Sequence, residues 1–205
     1  MSKKFTDQEK VYIRQRLIEE GKKLFETFGL MKTSIGELTK SVGIAQGSFY
    51  NFFMSKEELY YEIIEQEEEK VQNELTEVLI NKTLTKDRFA QFLHLGIKSL
   101  DKNPILSQLY DERVMQQLSR KVPVEKLALN ADKDLSFFAP FITDWQEIGV
   151  MKKIDPEVIV SMIRSLILLS LQRKYIGEAN FEETMTQFIQ MMADGLVIEE
   201  ASTYD

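Results

Sequence analysis

Apolar side chains recur at three- and four-residue spacing along almost the whole chain, and no stretch alternates apolar with polar positions through β-branched residues between turn signals. That periodicity predicts an all-α chain. A first helix of roughly four turns sets Ile13, Leu17, Leu24, Phe25 and Phe28 on one face around the small Gly21 and stops at Gly29. Ser34 and Glu37 then have the spacing of a reciprocal N-terminal cap, opening a short helix through Ile35, Leu38 and Val42 that Gly43 ends. After Gly43 and Ile44 a second short segment begins at Ala45 and carries Phe49, Tyr50, Phe52 and Phe53. Two short helices joined this tightly form a helix-turn-helix. Ser55 and Glu58 repeat the capping spacing and start a long helix over 55–80, about 36 Å at 1.5 Å per residue. Its centre, residues 65–70, is polar all round and is expected in solvent, with the two ends packing in different places so that the helix bridges two subdomains.

Further on, the pattern predicts a helix near 86–102, stopped before Pro104, and another near 105–120. Residues 122–132 hold Pro123 and no strong period, so a loop or broken helix is expected there. A helix over 134–149 follows, kinked or broken by Pro140. Two strong helices close the chain, 156–176 after an Asp155 cap and 181–198.

Composition then removes function classes. The 205 residues are 43% hydrophobic and 29% charged, enough apolar surface for a core. With no Cys and one His there is no disulfide framework, thiolate zinc site or cysteine nucleophile, and neither a metal nor a cofactor is expected. The N-terminus lacks the apolar core of a secretory signal, and the longest apolar run, 158–171, is interrupted by Arg164 and too short to span a bilayer. A cytoplasmic protein without a membrane partner is the expectation. The net charge of −7 argues, taken whole, against nucleic acid. It is unevenly spread: residues 1–56 hold 10 Lys plus Arg against 6 Asp plus Glu, and the rest hold 16 against 27. The first part is +4 and the remainder −11, a polarity that suits a nucleic-acid-facing end on an acidic body.

The segment 33–59 carries the chemistry. A helix enters the major groove when its exposed face offers short polar side chains and a neighbouring helix fixes its angle. Gln46, Ser48 and Asn51 can reach base edges or phosphates, Gly47 lets backbone approach the duplex, and Tyr50 adds a hydroxyl at phosphate reach. Phe49 and Phe53 would anchor the segment inward, and Lys56 would set a cation beside the free N–H groups of the next helix. Spacing alone fits a solvated surface hairpin equally well. Lys3 and Lys4 are candidates for a minor-groove or phosphate arm.

The run Gly29, Thr33-Ser34-Ile35, Leu38, Val42 through Phe53 and Ser55-Lys56-Glu57-Glu58-Leu59 resembles the TetR family of bacterial transcriptional regulators over about 30 residues. The segment 149–157 is similar to that family's turn before its penultimate helix. The resemblance implies that Thr33 and Ser34 reach phosphate, that Gln46, Gly47, Ser48 and Asn51 lie on the recognition helix, and that Tyr50 and Lys56 clamp the backbone. Thr39 and Val42 stand where the family commonly has Ala, and Ala45 replaces a common Ser, removing a cap whose loss costs about 1 kcal/mol in other helices.

It also implies an N-terminal helix-turn-helix domain, 1–54, joined by the long helix to a C-terminal domain, 55–205, that binds a small organic ligand and forms a homodimer through a four-helix bundle. The last two helices are apolar on more than one side and so must bury two surfaces; Ile159, Met162, Ile163, Leu166, Ile167, Ser170, Phe188, Met191 and Met192 are the candidates for the interface. Phe92, Tyr110, Arg113, Gln117, Phe137, Phe138, Phe141 and Trp145 are the candidates for the pocket, aromatic surface with Arg113 and Gln117 as polar anchors if buried. The function implied is a repressor on a pseudo-palindromic double-stranded DNA operator, released by its ligand. An enzyme is disfavoured, since Asp111 and Glu112 point apart on a helix and neither a phosphate-cradling loop nor a nucleophile elbow is present. A helical protein-interaction adaptor without DNA binding is the other alternative.

Overall fold

The computed structural model describes residues 5–80 and 83–198, and over these it is helical apart from one isolated bridge, Met151 to Val197. In chain order the helices are α1 (Asp7–Lys32), α2 (Ile35–Val42), a 3-10 turn (Gln46–Asn51), α3 (Lys56–Leu79), α4 (Lys86–Lys102), α5 (Pro104–Gln108), α6 (Glu112–Ser119), α7 (Val124–Glu147), α8 (Pro156–Ser170), α9 (Arg173–Ile176) and α10 (Phe181–Leu196). The expected Lys3 and Lys4 arm lies outside the described residues. No described helix is long and apolar enough to cross a membrane.

The chain packs as two compact units. One takes residues up to Glu69 together with Asn103–Leu127; the other takes Lys70–Lys102 and residues from 128 onward. The long helix α3 thus gives its first part to one unit and its last turns to the other. The first unit also recruits α5 and α6, which lie beyond the boundary at 54/55 suggested by the sequence.

In the first unit α1 starts earlier than the periodicity suggests, because Thr6 and Glu9 cap each other reciprocally. Gly29 does not end it. At φ 76° it breaks the helical path and the chain resumes helix to Lys32. Ser34 and Glu37 form the expected reciprocal cap of α2, and Gly43 ends that helix in the left-handed region. Leu17, Phe25, Leu30, Leu38, Phe49, Leu59, Tyr60, Ile63 and Ile64 fill the core of this unit. The predicted helix over 105–120 is two helices: Asp111 accepts the N–H of Arg113 and starts α6 anew after a turn at 109–111.

The polar centre of α3 is exposed at Glu69 and Lys70, but not throughout. Glu67 is buried, its Oε1 2.8 Å from Lys22 Nζ and its Oε2 accepting from Asn103 Nδ2 at 2.8 Å, while Asn103 Oδ1 caps α5. Tyr60 lies edge-on to Phe25 and donates to Ile105 O and Gln108 Oε1, burial pushing its phenol well above the usual range. Glu57, also buried, accepts from Gln117 Nε2 at 2.8 Å. Buried charges persist only where paired in this way.

The second unit is held mainly by apolar contact. Leu75, Phe89, Phe92, Leu93, Ile142, Trp145, Ile159, Ile163, Leu166, Met185, Ile189 and Leu196 form one cluster. The helix α7, whose first turn belongs to the first unit, is continuous where a loop or a break was predicted: Pro123 accepts the N–H groups of Lys126 and Leu127, and Pro140 sits inside the helix. Asp155 caps α8 as expected, but the helix ends at Ser170 and only the single turn α9 follows, closed by Gly177 at φ 108°.

Candidate nucleic-acid interface

The segment Gln46–Asn51 is a tight turn of 3-10 helix, six residues long, rather than a longer α-helix. Ala45 gives it no side-chain cap, and its first closing bond is Ser48 N–H to Ala45 O at 2.8 Å. What fixes the turn is aromatic anchoring on its inner side. Phe49 is fully buried and packs on Phe53, ring centroids 5.9 Å apart. Phe53 lies beneath the Arg14 guanidinium, 4.9 Å from its centroid, and Arg14 is held by a two-pronged bond to Glu62 on α3. Phe52 meets Phe5 at 5.8 Å. The turn is therefore tied to both long helices of its unit.

Its outer side carries the expected polar set. Gln46, Gly47, Tyr50 and Asn51 are exposed, Tyr50 by 60%, and Ser48 is half-buried. Nothing lies within 4 Å of the space a Cβ would take at Gly47, so a flat surface can approach the backbone there. The Gln46 amide oxygen lies back toward Gly36 at the start of α2, 3.7 Å from where a Cβ would sit.

Three of the residues assigned to phosphate are placed differently from one another. Ser34 is exposed, but its hydroxyl is engaged in the α2 cap, and the bonds it gives Glu37 lower that carboxyl below its ordinary range. Thr33 is 1% exposed; its hydroxyl donates to Gly29 O at 2.9 Å and turns away from any ligand. Lys56 reaches back across the end of α1, donating to the carbonyls of Leu30, Met31 and Thr33 at 2.8, 3.4 and 2.7 Å. A cation over the free carbonyls of a helix C-terminus is well placed electrostatically. In the free chain Thr33 and Lys56 thus fasten α1 to the start of α3. The half-cap at Ser55 is also displaced: Ser55 accepts from Glu58 N–H, while Glu58 reaches back one residue further, to Met54 N–H.

The expected pocket residues divide between the two units. In the first, Arg113 folds onto Asp111 with its side chain 81% exposed, Tyr110 is exposed, and Gln117 is committed to Glu57, so the buried polar anchor suggested for Arg113 is not formed. In the second, Phe92, Phe138, Phe137, Phe141 and Trp145 form a continuous row, neighbouring centroids 4.8–6.0 Å apart. An apolar cavity of about 20 Å³ lies against Phe92, Phe138, Leu75, Ile163 and Leu166, the size of about one water molecule.

Of the residues assigned to a dimer face, Ile159, Ile163 and Leu166 are buried in the core of their own unit. Ile167, Ser170 and Met192 are half-buried, while Met162, Phe188 and Met191 are exposed, Met191 by 65%. Val158, Leu168 and Leu169 are exposed beside them. The sequence carried no signal for which side of an all-round apolar helix would remain uncovered.

Residues 17–63 match the family model described as bacterial regulatory proteins, tetR family. The chain is 35% identical over 66 residues to the HTH-type transcriptional regulator AcrR of Shigella flexneri, a match spanning 32% of this chain and 31% of that regulator's length. It is 22% identical over 165 residues to YhgD, an uncharacterized HTH-type transcriptional regulator of Bacillus subtilis (strain 168), covering 76% and 80% of the two chains. The crystal structure of a TetR-family transcriptional regulator from Pectobacterium atrosepticum superposes over 96% of this chain and all of its own with a TM-score of 0.70 at 18% identity, a likeness of fold. The anchored turn at 46–51 lies inside the matched segment, which is similar to bacterial regulatory proteins of the tetR family.

Proposed function

We propose that this regulator is a cytoplasmic, homodimeric repressor that reads a pseudo-palindromic operator with the turn Gln46–Asn51 and is released by a small organic ligand. The carrying observation is that turn itself: an exposed polar edge with open backbone at Gly47, fastened from beneath by the buried Phe49 and Phe53. Rigid support fixes the angle at which side chains enter a groove. Tyr50 and Ser34 are assigned to phosphate, and Gln46, Ser48 and Asn51 to base edges. The domain reading follows, 1–54 for DNA and 55–205 for ligand and dimer.

Dimerisation draws support from the exposed stripe of Val158, Met162 and Leu169 on α8 with Phe188 and Met191 on α10, apolar surface that a second copy would remove from water. A dimer sets two such turns against successive major grooves about 34–36 Å apart. Release by ligand requires differential affinity, about 5.5 kcal/mol to move the population from 1:99 to 99:1. The row of aromatics from Phe92 to Trp145 supports the ligand part, because its cavity is nearly closed as it stands and opening it would repack the second unit.

Selection of bound duplexes with the purified chain tests the reading. Enrichment of one two-fold-related sequence, with log affinity falling linearly against log salt, is the expected result. Gln46→Ala should relax base preference by about 1–3 kcal/mol, and Tyr50→Ala should weaken all sequences alike. No enrichment over random duplex, or binding indifferent to salt, would sink the proposal.

A further inference from the structure

The second unit holds a groove of about 450 Å³ that shares no residue with the aromatic row of Phe137, Phe138, Phe141 and Trp145. It runs between the C-terminal half of α4, the α8 to α9 turn and the first half of α10. Its floor is apolar: Ile97 on one side, and Phe181, Met185 and Ile189, all buried, on the other. Its rim is cationic. Lys98 and Lys102 stand one turn apart on α4, and Arg173 faces them from α9. Arg173 is held in place: its guanidinium lies 4.1 Å above the Phe181 ring and pairs with Glu182. Among the described residues neither Lys98 nor Lys102 forms an ion pair.

Two further features define what such a groove takes. The hydroxyls of Ser170 and Thr186 line it, but each has given its proton to a backbone carbonyl, Ile167 O at 2.7 Å and Glu182 O at 2.9 Å. They present lone pairs and accept a donor; they do not ligate an anion. Three cations face two carboxylates at the rim, Asp101 and Glu182, and Glu182 is already engaged with Arg173. The local balance is positive in a region, residues 57–205, whose net charge is −11 from 16 Lys plus Arg against 27 Asp plus Glu. The volume is in the range of small-molecule sites, roughly 300–1,000 Å³.

We propose that this groove is a binding site for organic anions that join a carboxylate to a hydrocarbon chain or ring, the apolar part on Phe181, Met185 and Ile97 and the carboxylate at Lys98 and Lys102. A cation paired with a carboxylate at an exposed rim gives modest affinity alone; the burial of hydrocarbon supplies the rest.

Calorimetric titration of the free full-length protein with decanoate and with decyltrimethylammonium, below their micellar concentrations and without DNA, decides it. Decanoate should bind at least tenfold more tightly than the alkylammonium. The double variant Lys98→Glu/Lys102→Glu should lose at least tenfold in decanoate affinity, while Lys152→Glu/Lys153→Glu, an equal change of charge at exposed positions outside the groove, should not. Thr186→Trp, an exposed position that fills the groove without touching the core, should abolish binding with an unchanged melting temperature. No decanoate binding, equal losses in the two charge variants, or full affinity in Thr186→Trp would each overturn the assignment, the last by placing the ligand elsewhere. Because DNA is absent, failure here leaves the operator reading standing.

Discussion

The two units bury their polar groups in opposite ways. In the first, charges and amides are drawn inside and tied: Glu67 between Lys22 and Asn103, Glu57 to Gln117, Lys56 across three carbonyls, Tyr60 between Ile105 and Gln108. In the second, the interior is hydrocarbon and aromatic ring, from Leu75 and Phe89 to Ile189 and Leu196. Polar ties are directional and fail when a partner moves, whereas apolar contact tolerates repacking so long as volume is conserved. The difference suits a reading surface that must hold one angle, and a body that must accommodate something. It also locates α5 and α6: they belong by packing to the unit that carries the turn 46–51, and Gln108 adds a long bond to Phe25 O on α1.

The comparison breaks most severely at Phe49. Removing a fully buried ring from beneath the turn should cost about 3–5 kcal/mol, so Phe49→Ala should melt the first unit and abolish DNA binding, as read by calorimetry and gel shift. Survival of both would mean the turn is not anchored from below. Lys56→Met comes next. Hydrogen bonds from a charged donor carry about 1.5–3 kcal/mol, reduced here because Lys56 is half-exposed, so a loss of about 1–2 kcal/mol in urea unfolding is expected. Its DNA affinity should fall through looseness at 33–56, and restoring stability with an independent mutation should recover it; failure to recover would return Lys56 to the phosphate role. In the second unit, Leu166→Met at the small cavity should cost less than about 1.5 kcal/mol and leave DNA affinity unchanged. A larger loss would show that this core is as exacting as the first.

What the chain reveals of itself follows the same division. Caps were legible, because a Ser or Asp and the N–H it accepts lie two or three residues apart: Ser34 and Glu37 at α2, Asp155 at α8. The apolar anchors Phe49 and Phe53 were legible from their spacing. The ties that close the first unit were not. Glu67 sits in a run that reads as solvated, and its partners Lys22 and Asn103 lie 45 and 36 residues away in sequence. Thr33 and Lys56 match the family pattern by residue type, yet the break at Gly29 turns the end of α1 so that their polar atoms meet its carbonyls. On α8, apolar residues on every side hid which of them, Ile159 or Val158, faces inward.

The smallest expected effect concerns the break between α5 and α6, which rests on one exposed cap. Asp111 accepts from the side chain of Arg113 at 2.8 and 3.2 Å and from its N–H at 2.9 Å, and those bonds hold the carboxyl down at about 2 against an ordinary 3.8. A carboxyl whose pKa is lower folded than unfolded binds protons more readily in the unfolded chain. Its contribution is therefore complete above about pH 4 and is lost as pH falls through about 2. Asp111→Asn keeps an acceptor for the helix N-terminus but does not titrate. The urea midpoint of the parent should exceed that of Asp111→Asn above pH 4, and the gap should close toward pH 2 as the parent's cap is protonated. A gap constant across that window would mean the turn at 109–111 is held by its backbone bonds, Tyr110 N–H to Ser107 O and Asp111 N–H to Gln108 O, and that the Arg113 pair is incidental.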